Sequence, residues 1–167
     1  EKLSSYVPPA ERDDPDAARL RRDMLEASRP YMVRIVGPNC TGVIVPSVGL
    51  NAGVAHVSPK KGHLAFVAQS GAVVASVLDW ATARDIGFSY FASLGDMADV
   101  DFGDMLDYLT SDPDVRGILL YMEAVTHARK FMSAARAVAR LKPVIVFDAG
   151  RLDGLQSLGR RPYCTTH

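Results

Sequence analysis

The sequence predicts an α/β fold in which a doubly wound parallel sheet carries helices on both faces. Short runs that are apolar throughout, typical of strands buried on both sides, begin at Leu64, Phe88, Gly117 and Pro143. Between them lie segments whose apolar residues recur every three or four positions, the spacing of helices packed on a sheet. The length of 167 residues, 48% of them hydrophobic, suits one globular domain or one domain plus part of a neighbour.

Each element has a local signal. Asp14 before Pro15 is a cap followed by proline at the first helical position. Ser70, Asp101 and Thr126 are expected to cap the helices that follow the first three strands of the regular unit. The predicted order is helix 15–28, strand 33–36, strand 64–68, helix 71–84, strand 88–94, a helix from 102 closed by Pro113, strand 117–122, a long helix after Thr126 and strand 143–147.

These elements divide the chain. Residues 1–14 are polar and predict a flexible segment, and 15–42 are expected to be the last helix and strand of a preceding α/β domain. Residues 43–62, with two prolines and three glycines, predict an irregular connector. Residues 63–150 form the doubly wound, flavodoxin-like unit.

The composition excludes several classes of protein. Lys and Arg number 19 and Asp and Glu number 19, so the net charge is zero and the chain lacks the excess of basic residues typical of nucleic-acid-binding proteins. The sequence has no apolar run near the roughly 18–20 residues of a membrane span and no signal pattern at its start. Two cysteines cannot make a disulfide framework, and no Cys/His spacing indicates zinc. We therefore expect a cytoplasmic protein without a metal site.

Polar and small residues follow each predicted strand, at the edge where open parallel sheets bind ligands. Gln69, Ser70 and Gly71 form a strand-to-helix turn whose N–H groups lie at the positive end of a helix dipole, which favours an anion such as phosphate. An ordinary cap with a packing glycine explains the same residues. Glu123 follows the third strand and could orient a histidine that carries phosphate, or cap the next helix.

Other reactive side chains have simpler explanations. The aspartates at 96, 99, 101 and 104 do not have the spacing of a calcium loop, and turn or cap roles account for them. His127 is expected to be a solvated residue in the first turn of its helix. Cys40 has no base adjacent in sequence, so a small turn residue is a better description than a nucleophile.

Several runs then resemble a known family. They are RIVGPNCTG at 34–42, GHLAFVAQSGA at 62–72, SLGDMADVDFGD at 93–104 and YMEAV at 121–125. In this order they resemble the NDP-forming acyl-CoA synthetases, an acid–thiol ligase superfamily with the ADP-forming acetyl-CoA synthetases and the α subunit of succinyl-CoA synthetase. Bacterial versions fused to a GNAT acetyltransferase domain are especially similar.

The resemblance implies a fragment of an enzyme that couples acyl-CoA to acid plus nucleoside triphosphate through a phosphohistidine. Residues 15–42 would end a Rossmann CoA-binding domain, and 63–150 would dock the phosphohistidine. The family pattern makes Gln69, Ser70 and Gly71 phosphate-binding and Glu123 the catalytic acid that orients the histidine, with Asn39 and Cys40 contacting the cofactor.

The resemblance also implies ligands and partners. They are CoA or acyl-CoA, a carboxylic acid, an ATP-grasp (β-type) part, in some relatives a GNAT domain, and a homo-oligomer as one assembly. ATP or ADP with Mg²⁺ would bind the complete enzyme rather than this chain alone. The alternative is an acyl-CoA- or nucleotide-sensing module of a GNAT protein acetyltransferase, without turnover.

Two departures from the family pattern stand out. Ala75 occupies the position where succinyl-CoA synthetase has a tyrosine near its substrate, so a succinate site is not expected. The family's histidine loop should follow 148–151, but 152–167 do not resemble the family, as a frameshift or truncation would produce. We therefore expect 151–167 to be a non-family tail and the chain alone to be inactive.

Overall fold

The computed structural model describes residues 14–55 and 57–149. The helices are α1 (Pro15–Ser28), α2 (Gly71–Thr82), α3 (Phe102–Ser111) and α4 (Ala128–Val138). The strands are β1 (Gly42–Val45), β2 (Leu50–Gly53), β3 (Lys61–Ala68), β4 (Phe88–Ser93), β5 (Gly117–Met122) and β6 (Val144–Asp148). The predicted flexible segment, apart from Asp14, and the predicted non-family tail lie outside the described residues.

The strands form one mixed sheet in the order β2-β1-β4-β3-β5-β6. Strands β4, β3, β5 and β6 are mutually parallel, which confirms the predicted α/β core. Strand β1 is antiparallel to both β2 and β4 and extends the sheet at one edge. The sheet is therefore larger than predicted and is not parallel throughout.

Two predicted elements were wrong. Residues 43–62 are not an irregular connector, because most of β1 and all of β2 lie within them as a hairpin turning at Pro46–Val48 and Gly49. Strand β2 escaped prediction because all four of its residues are exposed and show no apolar pattern. Residues 33–36 are not a strand; this stretch is irregular, and the carbonyl of Ile35 accepts a hydrogen bond from the N–H of Val100 at 3.1 Å.

The core has two layers, one on each face of the sheet. Alternate residues of each strand face opposite sides, so Phe66 packs toward α2 and Val67 packs toward α3 and α4. All six residues of β4 are buried, which explains why the central strands read as continuous apolar runs. Helix α1 forms as predicted, but none of its residues is buried within the described part of the chain.

The predicted caps are largely confirmed. The side chains of Asp14, Ser70 and Asp101 accept hydrogen bonds from backbone N–H groups in the first turns of α1, α2 and α3. Thr126 was predicted wrongly as a cap, because α4 begins at Ala128 and the hydroxyl of Thr126 instead donates to Asp101 at 3.2 Å. No helix in the described part of the chain is long and apolar enough to cross a membrane.

Asp101 joins α3 to α4. Its side chain is 4% exposed, caps α3, and lies 3.0 Å from both Lys130 Nζ and His127 Nδ1. Burial alone would raise the pKa of Asp101, but the N–H of Asp104, Lys130 and His127 outweigh it and lower the pKa to about 2. His127 is exposed as predicted, yet this contact ties it to a buried carboxylate.

Asp99 makes the equivalent connection to the segment before β1. Its carboxylate accepts hydrogen bonds from Arg34 Nε at 2.9 Å and from the N–H of Ile35 at 2.8 Å. The hydrogen bond from Arg34 lowers the pKa of Asp99. The acidic run therefore acts in caps and ion pairs, and the described residues contain no group of three or more His, Cys, Asp or Glu placed to hold a metal ion.

We expect Asp101→Asn to lower the free energy of unfolding by about 2 kcal/mol at pH 7, since a carboxylate whose folded-state pKa is depressed stabilises the fold above its unfolded pKa. That contribution is lost as the pH falls from about 5 toward 2. The difference in unfolding free energy between wild type and Asp101→Asn should therefore be about half as large at pH 3 as at pH 7. Urea unfolding at both pH values measures it. Asp107→Asn, an exposed site on α3, is the control, and a difference that stays constant with pH would contradict the prediction.

Candidate functional site

A cleft of about 450 Å³ opens at the carboxyl edge of the parallel strands. The first turn of α2, the loops after β4 and β5 and the segment before β1 surround it. It is lined by Asn39, Cys40, Thr41, Gln69, Ser70, Gly71, Ala72, Gly95, Asp96 and Glu123. All six residues singled out from the sequence therefore lie in one cleft.

Gln69 holds three strand ends in place. Its side chain is buried, and Oε1 accepts hydrogen bonds from the N–H groups of Glu123 at 3.2 Å and Ala124 at 3.0 Å. Its own N–H donates to the carbonyl of Tyr121, and its carbonyl accepts from the N–H of Gly95. Gln69 thus fixes the backbone that carries Glu123 to the mouth of the cleft.

The first turn of α2 presents backbone donors to the cleft. Ser70 Oγ accepts the N–H of Val73 at 3.4 Å, and the carbonyl of Ser70 accepts the N–H of Val74 at 3.2 Å. The N–H groups of Gly71 and Ala72 precede these bonds, and a helix offers no partner of its own to them. Both residues line the cleft, so the positive end of the helix faces it.

Gly71 is required because the side chain of Thr41 packs directly against it. A Cβ at this position would lie 2.5 Å from Thr41 Cγ2, so a side chain here would displace the methyl group of Thr41. The packing role considered from the sequence therefore exists, and it is also what brings residues 39–41 to the first turn of α2.

Gly95 makes a second close approach. Its φ of +55° favours glycine, and a Cβ there would lie 2.0 Å from the carbonyl oxygen of Pro38. The N–H of Asp96 donates to the same carbonyl at 2.9 Å. Asn39 Nδ2 then lies 3.5 Å from Asp96 Oδ1, and the Cys40 thiol donates to the carbonyl of Val36. Asn39 and Cys40 enter the cleft because this loop packs on the β4–α3 loop.

The charge of the cleft is unusual for an anion site. Among the described residues, the carboxylates that line it are Asp96, which is 9% exposed, and Glu123, which is exposed, and none of these lining residues is Lys, Arg or His. Attraction for an anion therefore comes from backbone N–H groups and the dipole of α2. A cationic group beside the anion, such as a protonated imidazole, fits the two carboxylates.

Four lining residues had no binding role in the sequence analysis, namely Thr41, Ala72, Gly95 and Asp96. Gly95 and Asp96 follow a buried strand, so their position after it was a usable signal. Thr41 gave no such signal, because it precedes a strand that runs antiparallel to its neighbours. Ala75 is exposed on α2 and does not line the cleft.

The fold is an α/β domain with a cleft at the carboxyl edge of its parallel strands, beside the first turn of α2. Residues 61–161 match the family of the succinyl-CoA ligase like flavodoxin domain, and the chain belongs to that family. The match continues past residue 149, the last that the structure describes.

Relatives of known activity carry acetate–CoA ligase names. The chain is 45% identical over 136 residues to acetate–CoA ligase [ADP-forming] I of Archaeoglobus fulgidus, covering 81% of this chain and 20% of that protein. It is 40% identical to the α subunit of acetate–CoA ligase [ADP-forming] II of Pyrococcus furiosus, covering 81% and 30%. The chain thus spans less than a third of these relatives.

Solved structures agree with the fold. The protein PH0766 from Pyrococcus horikoshii OT3 matches with a TM-score of 0.80 and 37% identity, over 92% of this chain and 35% of that one. The dinucleotide-forming acetyl-coenzyme A synthetase 1 of Candidatus Korarchaeum cryptofilum, in complex with phosphate and ADP, matches with a TM-score of 0.77 and 32% identity, over 81% and 30%.

We expect Gly95→Ala to destabilise the protein more than Gly49→Ala. Both glycines have positive φ, but a Cβ at Gly49 meets nothing within 4 Å, whereas one at Gly95 overlaps the backbone of the 37–40 loop. The strain common to both is about 1–2 kcal/mol, and the overlap should cost Gly95→Ala at least about 1 kcal/mol more. Urea unfolding of both variants measures this, and equal losses would mean that the loop does not need the close approach.

Proposed function

We propose that this chain is the phosphoryl-docking part of an ADP-forming acyl-CoA synthetase of the acetyl-CoA type. The observation that carries the proposal is the joint presence of the α2 N-terminus and Glu123 in one cleft. The names of the relatives and the phosphate and ADP in one similar structure support it.

The chemistry follows from these groups. The N–H groups of Gly71 and Ala72 bind a phosphoryl oxygen, and the dipole of α2 stabilises its negative charge. Glu123 accepts a hydrogen bond from the imidazole that carries the phosphoryl group, which fixes the ring's tautomer and favours its cationic form. The glutamate therefore acts on the histidine, while the helix acts on the phosphate.

The histidine comes from outside the described residues in this proposal. His63 lies in the amino-terminal half of β3, where its Nδ1 is 3.0 Å from the carbonyl oxygen of Asp114. His127 is held by Asp101 and does not line the cleft. His56 and His167 are not among the described residues. We therefore propose that a segment outside the described residues brings the histidine to the cleft.

We assign the charged and the uncharged parts of the ligands to different regions of the complete protein. The described residues that line the cleft include no basic side chain, which does not suit ATP or the nucleotide end of CoA, and these bind to other parts of the complete protein, including the ATP-grasp part. Asn39 and Cys40 fit the uncharged thioester end of an acyl-CoA, since an amide and a thiol carry no charge that would repel it. Acetate as the acid rests on the names of the relatives.

Replacing Ser70 tests the anion site without removing the cap. Asp and Asn are both good N-caps, so Ser70→Asp and Ser70→Asn should both preserve α2, but only Asp adds a negative charge at the site. We expect wild type and Ser70→Asn to bind inorganic phosphate and Ser70→Asp to bind at least about tenfold more weakly, because like charges repel. Calorimetric titration measures the three affinities.

Ser76→Asp, which adds the same charge further along the exposed side of α2, is the control and should bind like wild type. Wild type that does not bind phosphate, or Ser70→Asp that binds as tightly as Ser70→Asn, would contradict the proposed function.

A further inference from the structure

The hydroxyl of Thr41 is a polar group without a partner at the edge of the cleft. Thr41 Oγ1 is buried and makes no hydrogen bond in the described part of the chain. Thr41 itself lines the cleft, next to Cys40 and opposite Ser70 and Gly71. A buried hydroxyl with no partner is costly, and such a group in a native protein requires an explanation such as a ligand that completes it.

The backbone fixes Thr41 in this place. Its carbonyl accepts a hydrogen bond from the N–H of Val54 at 3.1 Å. The next residue, Gly42, begins β1 with a φ of +98°. Gly53 passes so close that a Cβ there would lie 2.2 Å from the carbonyl oxygen of Thr41. The main chain of Thr41 therefore cannot move to find its hydroxyl a partner.

The side chain is pressed against the first residue of α2. The Cβ that Gly71 lacks would lie 2.5 Å from Thr41 Cγ2 and 3.5 Å from Thr41 Oγ1. The methyl group thus occupies the space left by the glycine, and the hydroxyl lies beside it. Rotation about the Cα–Cβ bond carries the hydroxyl to another staggered position without moving the backbone.

We propose that the Thr41 hydroxyl is a further donor to the phosphoryl group bound at α2. This inference rests on the proposed function. The hydroxyl turns to a phosphoryl oxygen next to the N–H groups of Gly71 and Ala72, and so gains the partner that it lacks in the free chain. A neutral donor suits this cleft, because it adds a hydrogen bond to an anion where the described lining residues supply no basic side chain.

Ser93 provides a matched comparison within the same protein. Its Oγ is the other buried side-chain polar atom without a partner in the described residues. Ser93 ends β4 and is fully buried, but it does not line the cleft. A ligand in the cleft should therefore depend on the hydroxyl of Thr41 and not on that of Ser93.

The test is calorimetric titration of the whole chain with inorganic phosphate. Thr41→Val keeps the shape and the methyl contact with Gly71 but removes the hydroxyl, and we expect it to weaken phosphate binding about tenfold. Thr41→Ser keeps the hydroxyl and should stay within about threefold of wild type, and Ser93→Ala should bind like wild type. Thermal unfolding of each variant checks the fold, and Thr41→Val should melt no lower than wild type.

The outcomes separate this inference from the proposed function. If wild type binds phosphate, Ser70→Asp does not, and Thr41→Val binds as tightly as wild type, the role of Thr41 is wrong and the anion site stands. Equal weakening by Thr41→Val and Ser93→Ala would also overturn it, because the effect would then come from packing. If wild type does not bind phosphate, the proposed function fails and the inference fails with it.

Discussion

The cleft depends on two glycines that neighbouring atoms approach more closely than a side chain would allow. Gly71 lets Thr41 lie against the first turn of α2, and Gly95 lets the carbonyl of Pro38 lie against the β4–α3 loop. Together these contacts hold the segment before β1 across the carboxyl edge of the sheet. Asn39 and Cys40 then face Glu123 over the end of α2. The positions of Asn39, Cys40 and Thr41 follow from this packing.

The packing also determines the electrostatics of the cleft. In the proposed function an anion is attracted by the end of a helix, since the described lining residues include no lysine or arginine, and this attraction is local and acts along the axis of α2. The carboxylates of Asp96 and Glu123 disfavour an anion that comes without a cationic or hydrogen-bond-donating group. A phosphoryl group carried by an imidazole offers both an anion for the helix end and a hydrogen-bond donor for the carboxylates, whereas a free nucleotide does not. This balance is consistent with a docking role within a longer enzyme.

The parallel core could be predicted from the sequence, because strands such as β4 are buried on both faces and therefore mostly apolar. Six of the residues that line the cleft could also be predicted from the sequence, since each follows a strand or lies within a family motif. The sequence did not predict β2, whose residues are all exposed, or the contact between Asp101 and His127, which are far apart along the chain. Thr41 was missed because its importance depends on how closely Gly71 approaches it, and spacing does not encode that distance.

The central claim is that the first turn of α2 binds the phosphoryl group. Titration of the ¹⁵N-labelled chain with inorganic phosphate, followed by amide chemical shifts, measures this directly. We predict that the amides of Gly71 and Ala72 shift most and that their shifts follow the same saturation curve as the amide of Glu123. Saturating shifts confined to the basic surface of α4, around Arg129 and Arg136, with Gly71 and Ala72 unchanged, would contradict it.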